Sequence, residues 1–330
     1  MKDLVPCEIL TANLLEHAAT RAWNELQIEP IEPFEIQTLK RKNKSAIYRL
    51  AGAGPNRSNV IAKRCFTSTA ATEQMIYDQV LGCLPLPALR CYGLLRDASP
   101  EFTWLFVEDA GTQPYRAELP EHRTLFAKWL ATLHTASQDS YAAYLLPDRG
   151  TGHYRAHLQA GRDRIRNYSD NPALTTEDRK LLADLIAQSD FLEANWEQIE
   201  SICKPMPRAL VHGDLKEKNL RVRRTQGVLA LLCFDWETAG RGVLGPDLIK
   251  CAALPQYHAV AKAKWPDLQL KDLDTMFKIG VLFRTLAKMH WESSHLEFQW
   301  LERPRFTLNQ CRDHLAQSMR HLGLHSKRVL

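Results

Sequence analysis

The sequence has 330 residues, of which 45% are hydrophobic and 25% are charged, a composition typical of a globular protein. It has no apolar run long enough to cross a bilayer and no apolar core at its amino terminus, so neither a membrane protein nor an exported one is expected. Eight cysteines are scattered without a Cys-x-x-Cys pair, which favours reduced, buried thiols in a cytoplasmic protein.

The net charge of +5 is unevenly distributed. Residues 241–330 carry 14 Lys and Arg against 8 Asp and Glu, whereas the rest of the chain is nearly balanced. A basic region suits an anionic substrate or nucleic acid, but charged faces of amphipathic helices explain it more simply. Since no DNA- or RNA-binding motif accompanies the charge, we expect no nucleic-acid partner.

The first third of the chain reads as short strands with two helices. An amphipathic helix is predicted over residues 10–26, and a second helix begins near Thr69. The predicted strands are separated by turn residues and lie at 34–39, 46–50, 59–65, 88–95 and 102–108. After Gly111 the pattern becomes mainly helical. We therefore predict an α+β protein with a small, mainly-β amino-terminal lobe, residues 1–112, and a larger, mainly-α carboxy-terminal lobe, residues 113–330.

The remaining two thirds read as helices interrupted by two short strands. The helices are predicted at 121–136, 154–167, 175–202 (one helix or two), 273–291 and 308–322. Thr175 and Asp178 have the spacing of a helix-capping pair. The strands, at 209–212 and 228–234, flank the most informative stretch of the sequence.

That stretch contains His212-Gly213-Asp214, then Asn219, then Asp235-Trp236-Glu237. The spacing His-x-Asp-x-x-x-x-Asn is that of a kinase catalytic loop, and the later Asp stands where a metal-binding Asp is expected. Asp214 is predicted to be the catalytic base. Asn219 and Asp235 offer the oxygen ligands that Mg²⁺ prefers. Lys216 stands where protein-kinase-like enzymes place a Lys on the γ-phosphate.

The nucleotide half of the site is predicted upstream. Val60-Ile61-Ala62-Lys63 resembles the kinase strand motif Val-Ala-Ile-Lys, so Lys63 is expected to contact the α- and β-phosphates. Glu73, on the following helix, is predicted to pair with Lys63. The stretch Trp104–Gly111 is interpreted as a hinge, where the Glu108 carbonyl and the Ala110 amide would bind adenine.

With these residues in place, the chain resembles the aminoglycoside phosphotransferase and choline kinase-like family. The resemblance runs from about residue 35 to residue 260, and the matching residues are Lys63, Glu73, Glu108-Asp109-x-Gly111, His212-Gly213-Asp214, Asn219, Asp235-Trp236-Glu237 and Gly245-Pro246-Asp247-Leu248. It implies a bilobal protein-kinase-like fold, use of ATP (or GTP) with Mg²⁺, and a small hydroxylated substrate. It also implies that Asp247 braces the catalytic loop. The loop Lys40–Ser45 lacks glycine, so Lys44 and Ser45 are the expected phosphate contacts there.

Three weaker patterns favour ordinary structure over chemistry. Gly240–Gly245 fits Gly-x-Gly-x-x-Gly, but it does not open a helix directly after a strand, so a flexible loop near the metal site is predicted instead of a dinucleotide site. His153 and His157 would share a helix face, as two ligands of a metal ion can. No third metal ligand lies at a recognisable spacing, so both histidines are predicted to be solvated. Trp291 and Phe298 are interpreted as core residues, in preference to residues that line a substrate pocket.

Alternative functions remain open at the level of sequence. A protein kinase is disfavoured because only 11 residues separate Asp235 from Asp247 and no Ala-Pro-Glu element follows. A pseudokinase scaffold is disfavoured because Lys63, Asp214, Asn219 and Asp235 are all present. The acceptor is expected to be an antibiotic, sugar, nucleoside or amino alcohol, with polycationic aminoglycosides less favoured by the basic carboxy-terminal region. Oligomeric state is left open.

Overall fold

A computed structural model describes residues 8–27, 30–42, 45–225, 227–298 and 302–324. The chain divides into two compact units, each assembled from separate stretches of sequence. Of the described residues, unit 1 comprises those up to Trp129, Ser140–Leu145 and Lys216–Thr238, and unit 2 comprises Leu130–Asp139, Leu146–Leu215 and those from Ala239 onwards.

Unit 1 is built on a six-stranded antiparallel sheet. Its strands are β1 (Ile9–Leu10), β2 (Glu35–Lys42), β3 (Ser45–Ala51), β4 (Val60–Phe66), β5 (Cys91–Arg96) and β6 (Phe102–Glu108). They are arranged in the order β1-β2-β3-β4-β6-β5. Two helices accompany them: α1 (Ala18–Leu26) and α2 (Thr67–Met75), the latter continuing as a π-helical turn over Ile76–Val80.

Alternating apolar positions explain why this sheet forms. Leu50, Val60 and Ala62 are buried along β3 and β4, and they pack in one cluster with Phe106 of β6 and Trp23 of α1. The Trp23 indole nitrogen donates to the Ala53 carbonyl at 3.2 Å, which satisfies its polar atom inside the core.

A two-stranded antiparallel hairpin, β9 (Leu220–Thr225) and β10 (Val228–Cys233), also belongs to unit 1. The strand β9 is not predicted from the sequence, because Arg221, Arg223 and Arg224 dominate its composition. Among residues 220–224, whose side chains are described, Leu220 and Val222 are buried, so the period-two pattern of a half-buried strand is present but short.

Unit 2 is mainly helical. The helices of the rest of the chain are α3 (Pro120–Ser137), α4 (Tyr141–Tyr144), α5 (Thr151–Asn167), α6 (Thr176–Ala194), α7 (Trp196–Cys203), α8 (Gly245–Leu248), α9 (Leu254–Ala261), α10 (Leu270–Ser293) and α11 (Glu302–His321). Of these, α4 and the first half of α3 belong to unit 1. A small sheet in the order β7 (Asp148–Arg149), β11 (Gly240–Val243), β8 (Arg208–Val211) completes unit 2.

The predicted capping pair is present at the start of α6. Thr175 Oγ1 accepts from the Asp178 amide at 3.2 Å, and Asp178 accepts in return from the Thr175 amide at 2.9 Å. The predicted helical stretch 175–202 is two helices, which meet at Asn195. Its side chain donates to the Phe191 carbonyl at 2.8 Å and ends α6 there.

The predicted helix over residues 10–26 is shorter than expected. Residues Ile9–Leu10 pair with β2 instead, and α1 begins only at Ala18. Asn13 adopts a left-handed conformation at φ 54°, and His17 is extended and caps α1 by accepting from the Ala19 amide at 3.2 Å. These two residues interrupt a pattern whose apolar spacing alone favours one continuous helix.

The expectation of a flexible loop at Gly240–Gly245 is wrong. Gly240–Val243 form strand β11, which pairs with β7 and β8, and Gly245 begins α8. A Cβ at Gly240 would lie 2.1 Å from the Pro147 carbonyl oxygen, and one at Gly242 would lie 2.4 Å from that of Arg149. Glycine is needed at both positions because another backbone approaches closely. The spacing of the glycines in the sequence does not distinguish such close packing from a flexible loop.

The seven cysteines in the described part of the chain are free thiols, and Cys65, Cys203, Cys233, Cys251 and Cys311 are buried. Among the described helices, none is both long and apolar enough to cross a membrane.

Candidate active site

Three predicted site residues meet in unit 1. Lys63 Nζ lies 2.6 Å from Glu73 Oε1 and 2.7 Å from Asp235 Oδ1. The pairing of Lys63 with Glu73 that the sequence predicts is therefore present. The side chains of Lys63 and Glu73 are 7% and 2% exposed, while that of Asp235 is 19% exposed. Asp235 is thus the member of the triad that remains open to solvent or to a ligand.

Electrostatics keep the ammonium of Lys63 charged. Burial acts to lower the pKa of Lys63, but Glu73 and Asp235 outweigh it, so the pKa lies above its usual value and the ammonium stays protonated. Burial raises the pKa of Glu73, and contact with Lys63 opposes that rise. A permanently charged ammonium beside a partly open carboxylate is suited to binding a phosphate chain with its cation.

Asp235 and Asn219 lie at the same end of the β9–β10 hairpin. Cys233 of β10 pairs with Leu220 of β9, and the Phe234 amide donates to the Asn219 carbonyl at 3.1 Å. Asp235 has φ 69°, a left-handed conformation that is uncommon outside glycine and that clusters at functional sites. Asn219 is buried.

A cavity of about 420 Å³ opens beside the triad within unit 1. Its apolar walls are Leu39, Ile47, Ile61, Leu89, Leu105, Val107 and Phe234. Its cationic lining residues are Lys40, Arg49, Lys63, Lys218 and Arg221. Asn219 and Asp235 also line it. An apolar cavity whose lining also includes cations and oxygen ligands has the chemistry of a nucleotide site.

The predicted hinge forms one edge of this cavity. Glu108 Oε1 accepts from Arg223 at 2.6 Å, and Arg223 also donates to the Asp109 carbonyl at 2.9 Å. Asp109 accepts from Arg49 at 2.6 Å and from the Gly111 amide at 3.0 Å. Among the described residues, the Ala110 amide donates to no backbone acceptor, so it can bind a ligand.

The predicted catalytic loop begins in unit 2, where Asp247 holds it. The His212 and Gly213 amides donate to the two carboxylate oxygens of Asp247 at 2.7 and 2.9 Å. The ring of His212 accepts from the Asp214 amide at 3.3 Å. These contacts fit the bracing roles predicted for Asp247 and His212, and they fix the backbone next to Asp214.

Asp247 is fully buried, yet it remains ionised. Burial raises its pKa, but contact with His134 and the His212 amide more than offsets this, so the pKa lies below its usual value. His134 Nε2 is 3.6 Å from Asp247, which is too long for a good hydrogen bond, so the direct hydrogen bonds come from the amides. His134 is itself held by the Tyr257 hydroxyl at 2.8 Å.

Arg284 of α10 is a site residue that the sequence did not reveal. Its guanidinium donates to the carboxylate of Asp214 and to the Gly213 carbonyl. The side chains of Arg284 and Asp214 are 18% and 17% exposed, so the pair is partly open. Seventy positions separate the two residues, and no local motif marks an arginine that only tertiary packing brings to the loop.

The prediction that His153 and His157 are solvated is wrong. Both are half-buried, and His157 Nδ1 lies 2.8 Å from Nδ1 of His290 on α10. The rings of His153 and His157 contact at 4.6 Å between centroids. The interpretation of Trp291 and Phe298 as core residues is also wrong, since they are 40% and 52% exposed.

The other predicted site residues are placed as follows. Ser45 begins β3 opposite Lys42, and Lys44 lies outside the described residues. Lys216 is exposed at the start of the 3₁₀ turn Glu217–Asn219. Lys218, which the sequence analysis did not select, lines the cavity instead.

One protein family matches the chain. The family model for the phosphotransferase enzyme family matches residues 41–277, well over half of the sequence. No sequence among the curated proteins matches.

Solved structures of small-molecule phosphotransferases share the fold. A spectinomycin phosphotransferase in complex with ADP and spectinomycin has a TM-score of 0.56 and 11% identity, over 92% of this chain and 98% of its own. The GDP and kanamycin complex of APH(2″)-IIIa has a TM-score of 0.59 and 13% identity, over 91% and 98%. An ethanolamine kinase from Plasmodium vivax has a TM-score of 0.55 and 12% identity, over 92% and 86%. These likenesses confirm the predicted α+β, protein-kinase-like fold.

Proposed function

Because the chain belongs to the phosphotransferase enzyme family, we propose that it transfers the γ-phosphoryl group of ATP, with Mg²⁺, to a hydroxyl group of a small molecule. The observation that carries the proposal is the triad Lys63–Glu73–Asp235 beside the 420 Å³ cavity. A buried ammonium held by a buried carboxylate has a clear use in fixing a phosphate chain.

The residues present suit the nucleotide and the metal. Asn219 and Asp235 supply an amide and a carboxylate oxygen, and phosphate oxygens and water would complete the coordination that Mg²⁺ prefers. Lys63 would bind the α- and β-phosphates, while the Ala110 amide and the Glu108 carbonyl would bind the base. When bound, Mg²⁺ would neutralise charge on the phosphate oxygens. Ser45, Lys44 and Lys216 are proposed as further phosphate contacts.

Asp214 is proposed as the residue that orients and deprotonates the acceptor. In the reaction, the acceptor oxygen forms a bond to the γ-phosphorus, the bond from that phosphorus to the bridging oxygen breaks, and ADP leaves. The acceptor proton passes to Asp214 and then to solvent. Arg284 holds the Asp214 carboxylate and the Gly213 carbonyl, so it acts as a positioning residue for the base.

The nucleotide and the acceptor are open within this proposal. One structural relative is complexed with ADP and another with GDP, so ATP is proposed first and GTP is tested beside it. The relatives also act on different acceptors, since one is a spectinomycin phosphotransferase and another an ethanolamine kinase.

The decisive experiment measures Mg²⁺-dependent phosphate transfer from ATP and GTP to a panel of hydroxylated small molecules. Asp214→Ala should abolish transfer to the best acceptor and leave nucleotide affinity within about twofold. The matched control is Asp274→Ala, because Asp274 is an exposed carboxylate of α10 that pairs with its helix neighbour Lys278. Near-normal turnover in Asp214→Ala would remove Asp214 from the role of base. Nucleotide binding without transfer to any compound or to a protein substrate would favour a pseudokinase scaffold.

A second test addresses the proposed metal ligand. Asp235→Asn keeps the size of the side chain and its tolerance of a left-handed backbone, but it removes the charge. We expect the affinity for MgATP, measured by calorimetric titration, to fall at least tenfold. Unchanged MgATP affinity in this variant would contradict the assignment of Asp235.

A further inference from the structure

A group of cationic and imidazole side chains in unit 2 begins at the proposed catalytic base and continues along α5 and α10. We call it the α5/α10 basic cluster, and its members are Arg149, His153, His157, Arg284, His290 and Trp291. None of them belongs to the phosphotransfer residues predicted from the sequence.

The cluster is continuous through direct contacts. Arg284, which donates to Asp214, also lies over the ring of Trp291 with 5.5 Å between its guanidinium carbon and the ring centroid. Trp291 meets the ring of His157 at 5.8 Å and 87°. His157 in turn hydrogen-bonds His290 at 2.8 Å, so that one ring donates and the other accepts.

The other end of the cluster lies at β7. The ring of His153 packs edge-on against that of His157 at 4.6 Å, and Arg149 Nη1 lies 3.4 Å from His153 Nδ1. The contacts therefore run from Asp214 through both helices to Arg149. An acceptor whose hydroxyl lies at Asp214 would extend along this surface.

Charge in the cluster is strongly one-sided. Burial lowers the pKa of His157 to about 3, and the neighbours that lower it further are His153, His290, Arg149 and Arg284. Burial and then Arg149 lower the pKa of His153 to about 4. His153 and His157 are therefore neutral near pH 7, first because burial disfavours their charged forms and then because cations and other imidazoles lie nearby.

The carboxylates close to the cluster are already bound. Asp214 accepts from Arg284, and Asp148 accepts from Arg208 and from the Gly150 amide. Burial also lowers the pKa of Arg149. A further negative charge placed here would be attracted by the guanidinium group of Arg149 and by that of Arg284, whose charge is shared with Asp214, and neutral imidazole N–H groups could donate hydrogen bonds to it.

Two other uses of the cluster are disfavoured. Among the residues described, no group of three or more His, Cys, Asp or Glu side chains has an arrangement that could hold a metal ion. A polycationic acceptor would meet the positively charged guanidinium groups at both ends of the cluster, Arg149 and Arg284, which costs free energy.

We propose that the α5/α10 basic cluster binds an anionic group, a phosphate or a carboxylate, of the acceptor molecule. Trp291, which is partly exposed, offers an apolar face for the carbon skeleton between that group and the hydroxyl. The inference that the cluster binds an anion depends only on the contacts of the cluster. The inference that this anion belongs to the acceptor also rests on the proposed function.

The first test measures anion binding without turnover. Protein labelled with ¹³C in its histidine rings is titrated with inorganic phosphate at constant pH and ionic strength, without nucleotide or Mg²⁺. The ring signals of His153, His157 and His290 should move saturably, while that of His314, which is exposed on α11, should not. His157→Gln should weaken phosphate binding about tenfold. The matched control Lys278→Gln removes a cation from the exposed part of α10 and should leave binding unchanged.

The first test overturns the anion site in either of two cases. In one, the three clustered histidines respond no more than His314. In the other, Lys278→Gln weakens binding as much as His157→Gln does. Thermal unfolding of both variants confirms that each is folded before the comparison is made.

The second test uses matched acceptors. Glycerol 3-phosphate and glycerate are compared with glycerol and ethanolamine, and then larger sugar phosphates and sugar acids with their neutral and amino counterparts. We expect kcat/KM to be at least tenfold higher for the anionic acceptors than for their neutral and amino counterparts. His157→Gln or Arg149→Gln should raise the KM for the anionic acceptor with little change in kcat. Comparing phosphates with carboxylates identifies the preferred anion. Preference for amino alcohols that is insensitive to His157→Gln would overturn the proposal.

The two tests separate this inference from the proposed function. Saturable histidine shifts without transfer to any acceptor would support the anion site and count against the phosphotransferase activity. Transfer to neutral or amino acceptors without histidine shifts would support the activity and remove the anion site.

Discussion

Lys63 has two carboxylate partners, and they differ in their surroundings. Both line the cavity, but the side chain of Glu73 is 2% exposed and contacts Lys63, whereas that of Asp235 is 19% exposed and more accessible to a ligand. Breaking a buried ion pair usually costs about 3–5 kcal/mol, because a charge is left without compensation. Here Lys63 would keep Asp235, so a smaller effect on stability is expected.

Glu73→Gln tests this division. We expect a loss of about 1–3 kcal/mol in unfolding free energy, measured by urea denaturation, since the buried ion pair with Lys63 is replaced by a hydrogen bond to an uncharged amide oxygen. We also expect the KM for MgATP to rise about tenfold, because Lys63 would then be drawn toward Asp235.

The control is Glu101→Gln, which removes an exposed carboxylate from the loop between β5 and β6 of the same unit. It should change stability by less than about 0.5 kcal/mol. An unchanged KM for MgATP in Glu73→Gln would show that Lys63 does not depend on Glu73 for nucleotide binding.

Asp247 gives a pH-dependent prediction. Its pKa in the folded protein lies below the ordinary value of 3.8, so the folded state favours its ionised form. Its contribution to stability is therefore fully present above about pH 3.8 and is lost as the pH falls through the folded pKa. Asp247→Asn should cost about 1–3 kcal/mol at pH 7, because one loop amide loses its acceptor. The difference from the natural protein should shrink as the pH falls below about 3.8.

Urea denaturation across this pH range checks the effect, with the exposed Asp274→Asn as the matched variant. A constant difference between Asp247→Asn and the natural protein at every pH would exclude an ionised Asp247 as its origin.

At the scale of elements, α10 is held close to α8 by two facing glycines. A Cβ at Gly280 would lie 2.0 Å from the Gly245 carbonyl oxygen, far inside normal contact. This approach fixes α8, which carries Asp247, against α10, which carries Arg284. The bracing of the loop and the contact to Asp214 therefore depend on one helix crossing.

Gly280→Ala should reduce the unfolding free energy by about 1–3 kcal/mol, because overpacking moves one helix away from the other. Gly152→Ala on α5 is the matched control, since nothing lies within 4 Å of its added Cβ. That control should raise stability by up to about 1 kcal/mol through helix propensity alone. Equal effects of the two substitutions, measured by thermal and urea denaturation, would contradict the importance of the crossing.

At the scale of the whole molecule, local patterns in the sequence predict most helices and strands but few of the contacts between residues distant in sequence. The strands of the six-stranded sheet follow apolar alternation, and the loop from His212 to Asn219 follows fixed spacing, so both were predictable. Arg284 was not, because its contact with Asp214 depends on helix packing rather than on neighbours in sequence. The histidine cluster was missed for the same reason, since His290 comes from a second helix.

The division of the chain leads to a last prediction. The triad, Asn219 and the cavity all belong to unit 1, although the 70 residues of 146–215 separate Lys216–Thr238 from the preceding part of that unit. Nucleotide bound in the cavity should therefore protect three separated segments from amide hydrogen exchange: Val60–Phe66, Phe102–Glu108 and the hairpin Leu220–Cys233. At a nucleotide concentration of 100 times Kd, binding stabilises the folded protein by about 2.7 kcal/mol.

Exchange measured with and without MgATP, MgGTP and the isolated metal checks this pattern. The hairpin should gain protection together with β4 and β6, and Lys63→Met should abolish that gain. Inorganic phosphate should instead protect α5 and the second half of α10, where the α5/α10 basic cluster lies. Protection by MgATP that spared the hairpin would place the nucleotide away from Asn219 and Asp235, and the proposed metal ligands would then have to be abandoned.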